Sequence, residues 1–159
     1  MNQVELNKQA KLSEHFSLGE LTRSKSHPEV YNIPSHVHIE NLKRVCVWLE
    51  VLRARYNERY VDGEEPIIIT SGYRSPDVNR AVGGANSSNH LTGCAVDIRC
   101  VGVEQAIRYA AILLDAADDR QEDFDELLIE RNRKGRYWVH FAVRPPKEGN
   151  RRKTSFINA

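Results

Sequence analysis

The sequence predicts an α+β fold in which a small, mainly antiparallel sheet carries helices on one face. Apolar residues recur every three or four positions between residues 37 and 60, which is the period of an amphipathic helix. Short β-branched runs bounded by turn residues, such as 66–70, indicate strands. Helices and strands occur in blocks rather than in strict alternation, as is typical of α+β domains.

The N-terminal half is expected to hold a lead-in, one long helix and one strand. Residues 1–15 are polar and lack a period, so we expect a flexible lead-in. Residues 16–21 suit a short turn or helix that docks on the domain. After the helix at 37–60 and the strand at 66–70, residues 71–89 form a loop rich in Gly, Ser, Asn and Pro, a composition that often accompanies function.

The C-terminal half is expected to hold one more helix and three more strands. The helix is expected at 103–116, where apolar residues recur at helical spacing. The strands are expected at 94–99, 124–130 and 137–143, the last two joined by a hairpin at 131–136. A polar, basic tail follows at 145–159 and is expected to fray, so the folded domain spans 16–144.

Composition excludes several classes of protein without naming an activity. The chain has 159 residues and a formal net charge of +1, so its overall charge indicates neither a nucleic acid nor an anionic lipid partner. No apolar run approaches the roughly 20 residues of a membrane-spanning helix, and the N-terminus lacks a signal-peptide core. We therefore expect a soluble monomer that is cytoplasmic as synthesised.

Three cysteines, Cys46, Cys94 and Cys100, are an odd number without the spacing of a metal knuckle or a redox pair. No disulfide framework is expected, and Cys46 on the apolar stripe of the long helix is expected to be buried. The basic segments 131–136 and 151–153 could bind nucleic acid, but few aromatic residues accompany them. A solvated hairpin and a solvated basic tail are the favoured interpretation.

Ionisable residues interrupt two apolar strands. His90 precedes a glycine-containing turn and the strand that carries Asp97, and His140 lies in the middle of a second strand. An ionised carboxylate in such a strand is costly unless it is paired or bound to a cation. The remaining histidines are expected at the surface: His15, His27, His36 and His38.

Two neutral imidazoles and a carboxylate are a common ligand set for catalytic zinc, with water in the fourth position. Coordination lowers the pKa of that water and polarises a bound carbonyl. A second interpretation stays open, in which His90 and Asp97 pair and His140 is a core histidine with satisfied hydrogen bonds. Cys94 is out of phase with Asp97, and Cys100 lies beyond the strand, so both are weaker ligand candidates.

Four motifs follow one another along the chain: SGYRSP at 71–76, AVGGA at 81–85, SNHLTGCAVDI at 88–98 and WVH at 138–140. Together they resemble the D-Ala-D-Ala carboxypeptidase-type zinc peptidases, which cut peptidoglycan cross-link peptides and include phage endolysins. The resemblance covers residues 16–143. It implies the fold that this family shares with the hedgehog signalling domain, and zinc as the cofactor.

The resemblance implies that His90, Asp97 and His140 bind the zinc. It makes Arg74 the expected anchor for a substrate carboxylate or carbonyl, which suits the planar guanidinium; a salt bridge that braces the loop is the alternative. Ser88 is expected to donate a hydrogen bond to the substrate, or else to cap its own loop.

The general base is where the chain departs from the best-known members, which carry an acid three positions before the last histidine ligand. Here that position is Tyr137. A similar branch of the family carries a glutamate at the end of the preceding strand, which corresponds to Glu130. Glu130 would pass a proton from the zinc water to the leaving amine; alternatively it is a solvated glutamate paired with Arg131 or Arg136. Asp125 and Glu126 are the next candidates.

The resemblance implies zinc-dependent hydrolysis of a peptide bond involving D-amino acids in peptidoglycan, by a D,D-carboxypeptidase or an endopeptidase of the endolysin type. The choice depends on whether the cleft is closed behind the leaving residue. Tyr137 motivates an alternative, a zinc-stabilised binding or virion-assembly module without catalysis. Without a signal peptide, the wall would be reached through a separate membrane-disrupting lysis protein, as for phage endolysins.

Overall fold

A computed structural model describes residues 6–24 and 26–159. Within them the chain forms four α-helices and five strands, which confirms the predicted α+β class. The helices are α1 (Leu18–Leu21), α2 (His36–Tyr60), α3 (Pro76–Ala81) and α4 (Gly102–Arg120). The strands are β1 (Ile69–Ser71), β2 (Ala95–Arg99), β3 (Glu126–Arg131), β4 (Tyr137–Ala142) and β5 (Lys153–Asn158).

The five strands form one sheet in the order β1-β2-β4-β3-β5. The pairs β1–β2, β2–β4 and β3–β4 are antiparallel, and β5 runs parallel to β3. The predicted hairpin between β3 and β4 is confirmed, with Arg131 opposite Tyr137. In the β2–β4 register Asp97 lies opposite His140, so two of the predicted ligands are cross-strand neighbours.

Helices α2 and α4 cover one face of the sheet and leave the other face open. Side chains alternate along a strand, so Val96 and Phe141 point into the helix-covered face. The Trp48 ring of α2 lies 5.3 Å from that of Phe141. These buried side chains belong to the hydrophobic core, which therefore lies between this face and the helices. Full burial of a side chain such as Phe141 contributes about 1.5–3 kcal/mol to the free energy of unfolding. None of the helices in the described ranges has the length and hydropathy to cross a membrane.

Cap residues explain where α2 begins and where α4 ends. The Ser35 side chain accepts a hydrogen bond from the backbone N–H of His38 and starts α2 at the predicted place. Helix α4 runs to Arg120, four residues beyond its predicted end, and stops at Gln121 in the left-handed conformation. Cys46 is buried in α2, as expected.

The expected loop at 71–89 contains a helix that the sequence analysis does not predict. Ser75 caps α3 through its side chain, and Pro76 occupies the first turn, where its missing N–H costs nothing. The neighbouring strand β1 is also shorter than predicted and shifted, spanning Ile69–Ser71 rather than 66–70. The Ser-Pro start signal is present in the sequence, but the residues around it have the composition of a loop, which predicts no helix here.

The prediction of a flexible lead-in is wrong for residues 6–15; residues 1–5 lie outside the described part of the chain. Leu6 and Leu12 pack against the hydrophobic core. Ser13 Oγ and the backbone N–H of His15 donate hydrogen bonds to the Glu50 carboxylate on α2. Isolated apolar residues without a period anchor this segment, which explains why a pattern search misses it.

The prediction that the tail frays is also wrong, because residues 153–158 form strand β5. The strand pairs along all of β3, from Glu126 opposite Lys153 to Arg131 opposite Asn158. It is an exposed edge strand whose side chains are mostly polar, with Phe156 and Ile157 as exceptions, so its composition resembles that of a tail. The pairing gives partners to the backbone groups on the outer edge of β3.

Candidate metal centre

The open face of the sheet carries most of the ionisable side chains that the sequence analysis singles out. Alternation places Asp97 of β2, His140 of β4, and Glu126 and Glu130 of β3 on this face. Because β4 lies between β2 and β3, His140 is flanked by Asp97 on one side and by β3 on the other.

His90 reaches the same place from a 3₁₀ turn at Asn89–Thr92. The Ser88 side chain accepts a hydrogen bond from the backbone N–H of His90 and caps this turn. Gly93 ends it with a φ of 77°, and a Cβ there would lie 2.5 Å from the His38 carbonyl oxygen. Only glycine fits this junction between turn and strand, so the glycine between His90 and Asp97 has a steric cause.

The structure brings the three predicted ligands together. Asp97 Oδ1 lies 3.4 Å from His90 Nε2 and 3.1 Å from His140 Nδ1. One ligand atom from each residue lies within 4.8 Å of the others, and both histidines are buried. This group of atoms could hold a metal ion.

The hydrogen bonds of His90 leave one ring nitrogen without a partner. Nδ1 lies 2.7 Å from the Gly72 carbonyl oxygen, which can only accept, so Nδ1 donates. In the neutral ring Nε2 is then an acceptor, and it is buried without a hydrogen-bond partner. It faces the Asp97 carboxylate, another acceptor. Two hydrogen-bond acceptors that face each other in a buried site are unfavourable unless a cation lies between them. A nitrogen and a carboxylate oxygen are also atoms that ligate metals, so this pair suits a metal ion.

His140 is oriented by a second carboxylate. Its Nε2 donates to Glu126 Oε1 at 3.1 Å, and the Asn89 side chain donates to the same oxygen at 2.7 Å. This bond leaves Nδ1 of His140 directed at Asp97. A carboxylate on the outer nitrogen of a ligating histidine selects the tautomer and fixes the ring.

Ionisation in the absence of a metal follows the same contacts. Burial alone would lower the pKa of His140, but its hydrogen bonds to Asp97 and Glu126 raise that pKa to about 10. The hydrogen bond from His140 lowers the pKa of Glu126 to about 2. The pKa of Asp97 lies well below its usual range, because the positive charge of the neighbouring histidines outweighs its burial. Burial lowers the pKa of His90. The carboxylates of Asp97 and Glu126 therefore favour a positively charged His140 when no metal is bound.

Arg74 contacts the centre from the loop that follows β1. Its Nη2 donates to Asp97 Oδ2 at 3.2 Å, and its Nε donates to Ser71 Oγ at 3.0 Å. A third contact joins Nη1 to Asn79 Oδ1 at 3.4 Å. The bracing salt bridge considered for Arg74 is thus present, and it involves a ligand of the candidate metal centre. The guanidinium also lines the open cleft above that centre.

Glu130 lies beside the centre in the β3–β4 ladder, opposite Trp138. It lines the same cleft as His140, and none of the ion pairs among the described residues involves it. Burial and the negative charge of Asp97 raise the pKa of Glu130. A half-buried carboxylate with a raised pKa has the properties of a general base or acid.

The other acidic candidates have different surroundings. Asp125 is fully buried and accepts hydrogen bonds from the side chains of Arg151 and Asn89, so it is engaged in a structural network. Tyr137 stands three positions before His140, and alternation places it on the opposite face of β4, where its ring packs against Phe156.

The cleft has a volume of about 570 Å³ and lies between the open face of the sheet and the loop at 82–88. Its lining includes Arg74, Ser88, His90, Asp97, Glu130 and His140. The four other histidines are elsewhere: His15 bonds Glu50, His27 lies near Glu29, His38 stacks on Tyr73, and His36 begins α2.

The sequence does not predict the hydrogen bonds by which Glu126 and Asn89 support His140. The sequence predicts Glu126 as a substitute base, whereas in the structure it accepts a hydrogen bond from the outer nitrogen, Nε2, of His140. Asn89 joins Glu126 and Asp125 through one amide group. The available signal was the position of Glu126, which shares a strand face with Glu130 at a spacing of four residues.

The chain was compared with models of known protein families and with curated proteins. A family model described as peptidase M15 matches residues 14–141, which is most of the chain and includes the three candidate ligands. No curated protein matches the sequence.

Proposed function

The chain belongs to the peptidase M15 family, whose members are zinc peptidases, and we propose that it hydrolyses a peptide bond involving D-amino acids in bacterial peptidoglycan. The main support is the buried cluster of His90, Asp97 and His140, in which an unpartnered imidazole nitrogen faces a carboxylate. A buried arrangement of this kind is costly unless a cation binds there.

Zinc is the proposed ion. His90 Nε2, His140 Nδ1 and one oxygen of Asp97 would hold it, because the remaining nitrogens already donate to Gly72 and Glu126. Zinc supplies a Lewis acid that lowers the pKa of a water molecule and polarises the scissile carbonyl. Three protein ligands leave one position open, as in catalytic rather than structural zinc sites.

Glu130 is the proposed general base. Its carboxylate takes a proton from the attacking water and delivers it to the leaving amine. Its place in the cleft beside His140 and its raised pKa suit both steps. Because Tyr137 lies on the other face of β4, the base is proposed to come from the neighbouring strand β3.

Arg74 and Ser88 are the proposed contacts to the substrate. Arg74 already donates to Asp97, and the N–H groups that remain can stabilise negative charge on the carbonyl oxygen during attack. The Ser88 hydroxyl oxygen accepts from His90 N–H, so its own O–H is left to donate to a substrate carbonyl.

A non-catalytic binding module is the second candidate function, favoured by Tyr137 in the position where well-known relatives carry an acid. Such a module would bind zinc and a wall peptide without cleaving it. Both candidate functions therefore predict bound zinc, but only the peptidase predicts hydrolysis of the wall peptide.

The test is digestion of defined peptidoglycan peptides by the purified protein, with products identified by mass. We expect hydrolysis that a chelator removes and zinc restores, and no hydrolysis by His90→Ala. His36→Ala is the matched control, because His36 is exposed at the start of α2. Activity of His90→Ala equal to that of wild type contradicts the proposal, and bound zinc without any turnover favours the binding module.

A further inference from the structure

We propose that the substrate cleft is open on both sides of the metal centre, so that the protein cuts an internal bond and is an endopeptidase. This inference rests on the proposed function and adds the substrate class, a peptide chain that continues past the scissile bond in both directions. It follows from the course of the cleft, from the contacts of Arg74 and from the charged residues that line the cleft on each side of the centre.

Two cavities meet at the metal centre. The first, here the loop-side cavity, is the cleft of about 570 Å³ that includes His90, Glu126 and His140. The second, the hairpin-side cavity, has a volume of about 690 Å³ and is lined by Arg99, Val101, Gly102 and the hairpin between β3 and β4. Asp97 and Trp138 line both. The ligand Asp97 thus stands between two spaces rather than at the end of one.

Each cavity is larger than a single alanine requires. Pockets of about 300–1,000 Å³ hold drug-sized ligands, and both cavities fall in that range. The open face of β3 borders the cleft from Glu126 to Glu130, a length of about 13 Å at the usual rise per residue. An extended peptide of several residues can therefore lie across the centre with chain on each side.

A carboxypeptidase needs a cation placed to hold the terminal carboxylate one residue beyond the scissile bond. Among the described residues Arg74 is the one arginine or lysine that pairs with Asp97, and its three guanidinium nitrogens already contact Ser71, Asn79 and Asp97. These contacts direct the guanidinium toward the metal ligand. Arg74 thus suits the carbonyl under attack better than a carboxylate one residue further on.

Cations instead line both cavities. The loop-side cavity includes Arg144, Arg151 and Lys153, and the hairpin-side cavity includes Arg99 and Arg136. Arg144 and Arg151 pair with Asp125. No ion pair among the described residues involves the other three. Positive charge on both sides of the centre favours a peptide that carries carboxylates before and after the bond that is cut.

The test compares two defined substrates at equal concentration with the zinc-loaded protein. One is a cross-linked peptide dimer from peptidoglycan, and the other is a linear pentapeptide that ends in D-Ala-D-Ala. We expect kcat/KM for the dimer to exceed that for the pentapeptide at least tenfold. Faster release of free D-alanine from the pentapeptide overturns the endopeptidase assignment but leaves the proposed function intact. If the zinc-loaded protein cleaves neither substrate, both the endopeptidase assignment and the proposed function are overturned.

A matched pair of variants tests the hairpin-side cavity directly. Val101 lines it and is 77% exposed, whereas Val103 is 40% exposed on the first turn of α4 and lies outside the lining. Val101→Trp fills the cavity and is expected to lower kcat/KM for the dimer about tenfold while the bound zinc stays at the wild-type level. Val103→Trp is expected to leave both quantities unchanged. Equal effects of the two substitutions, or none from Val101→Trp, contradict the proposal.

Discussion

Nε2 of His90 lies 3.4 Å from Oδ1 of Asp97, although neither atom carries a proton when the imidazole is neutral and the carboxylate ionised. The other ring nitrogen of His90, Nδ1, donates a hydrogen bond to the Gly72 carbonyl oxygen, and this bond orients the ring so that Nε2 faces Asp97. Two buried acceptors therefore face each other, because the turn at Asn89–Thr92 positions His90 and strand β2 positions Asp97. A bound cation turns this unfavourable contact into a favourable one.

Zinc binding is expected to stabilise the folded protein. A ligand at 100 times its Kd adds about 2.7 kcal/mol to the free energy of unfolding. For a chain of this length that corresponds to a rise in Tm of roughly 5–10 °C. Differential scanning fluorimetry with and without zinc measures it. His90→Ala is expected to lose the shift and His36→Ala to keep it; a shift retained in His90→Ala would place the zinc elsewhere.

Glu130→Gln is expected to abolish turnover without removing the metal. Loss of a general base lowers kcat by about 10²–10⁴-fold, while Gln keeps the shape of the side chain. The measurement is kcat on a wall peptide together with zinc content by mass spectrometry. Glu58→Gln is the control, because Glu58 is exposed on α2. Turnover within threefold of wild type in Glu130→Gln would assign the proton transfer to another group.

Glu126→Ala is expected to weaken zinc binding. The substitution removes the acceptor that orients His140 Nε2, and loss of such an outer contact typically costs about 10–100-fold in metal affinity. Competition with a chromophoric chelator gives the zinc Kd. The prediction fails if Glu126→Ala and Glu58→Ala have the same Kd. Glu126→Gln keeps an acceptor oxygen and is expected to fall between the two.

Arg151→Ala is expected to destabilise the fold through strand β5. The Arg151 guanidinium, two residues before β5 begins, donates two hydrogen bonds to the fully buried Asp125. Loss of hydrogen bonds to a charged group costs about 1–3 kcal/mol. Urea denaturation measures the change, and Arg133→Ala in the exposed hairpin is the control, expected within about 0.5 kcal/mol of wild type. Equal midpoints for the two variants would contradict the structural role of Arg151.

Asp125 is expected to make the protein sensitive to acid. Burial alone would raise its pKa, but the hydrogen bonds from Arg151 and Asn89 lower it from 3.8 to about 2. A pKa lowered on folding adds stability above the unfolded value, and this stability is lost as pH falls from 3.8 toward 2. Free energies of unfolding across that range are therefore expected to fall more steeply for wild type than for Asp125→Asn. Equal slopes would show that Asp125 does not contribute.

Local pattern was enough to predict the elements that carry most of the core. The helix α2, the strands β2 and β4, and the β3–β4 hairpin follow from periodicity and turn residues, which act over a few neighbouring positions. Strand β5 could not be predicted this way. Its pairing with β3 joins residues more than twenty positions apart, and its exposed side chains carry no apolar period.

For the candidate site, the sequence alone was enough to predict three metal ligands, because His90, Asp97 and His140 stand in motifs that resemble a family. The positions of the two glutamates of β3 relative to these residues depend on the tertiary structure. Register places Glu126 on the outer nitrogen of His140 and Glu130 in the cleft, and a pairing shifted by one residue would turn both away. Only packed strands determine which side chains face one another, since that depends on contacts between distant parts of the chain.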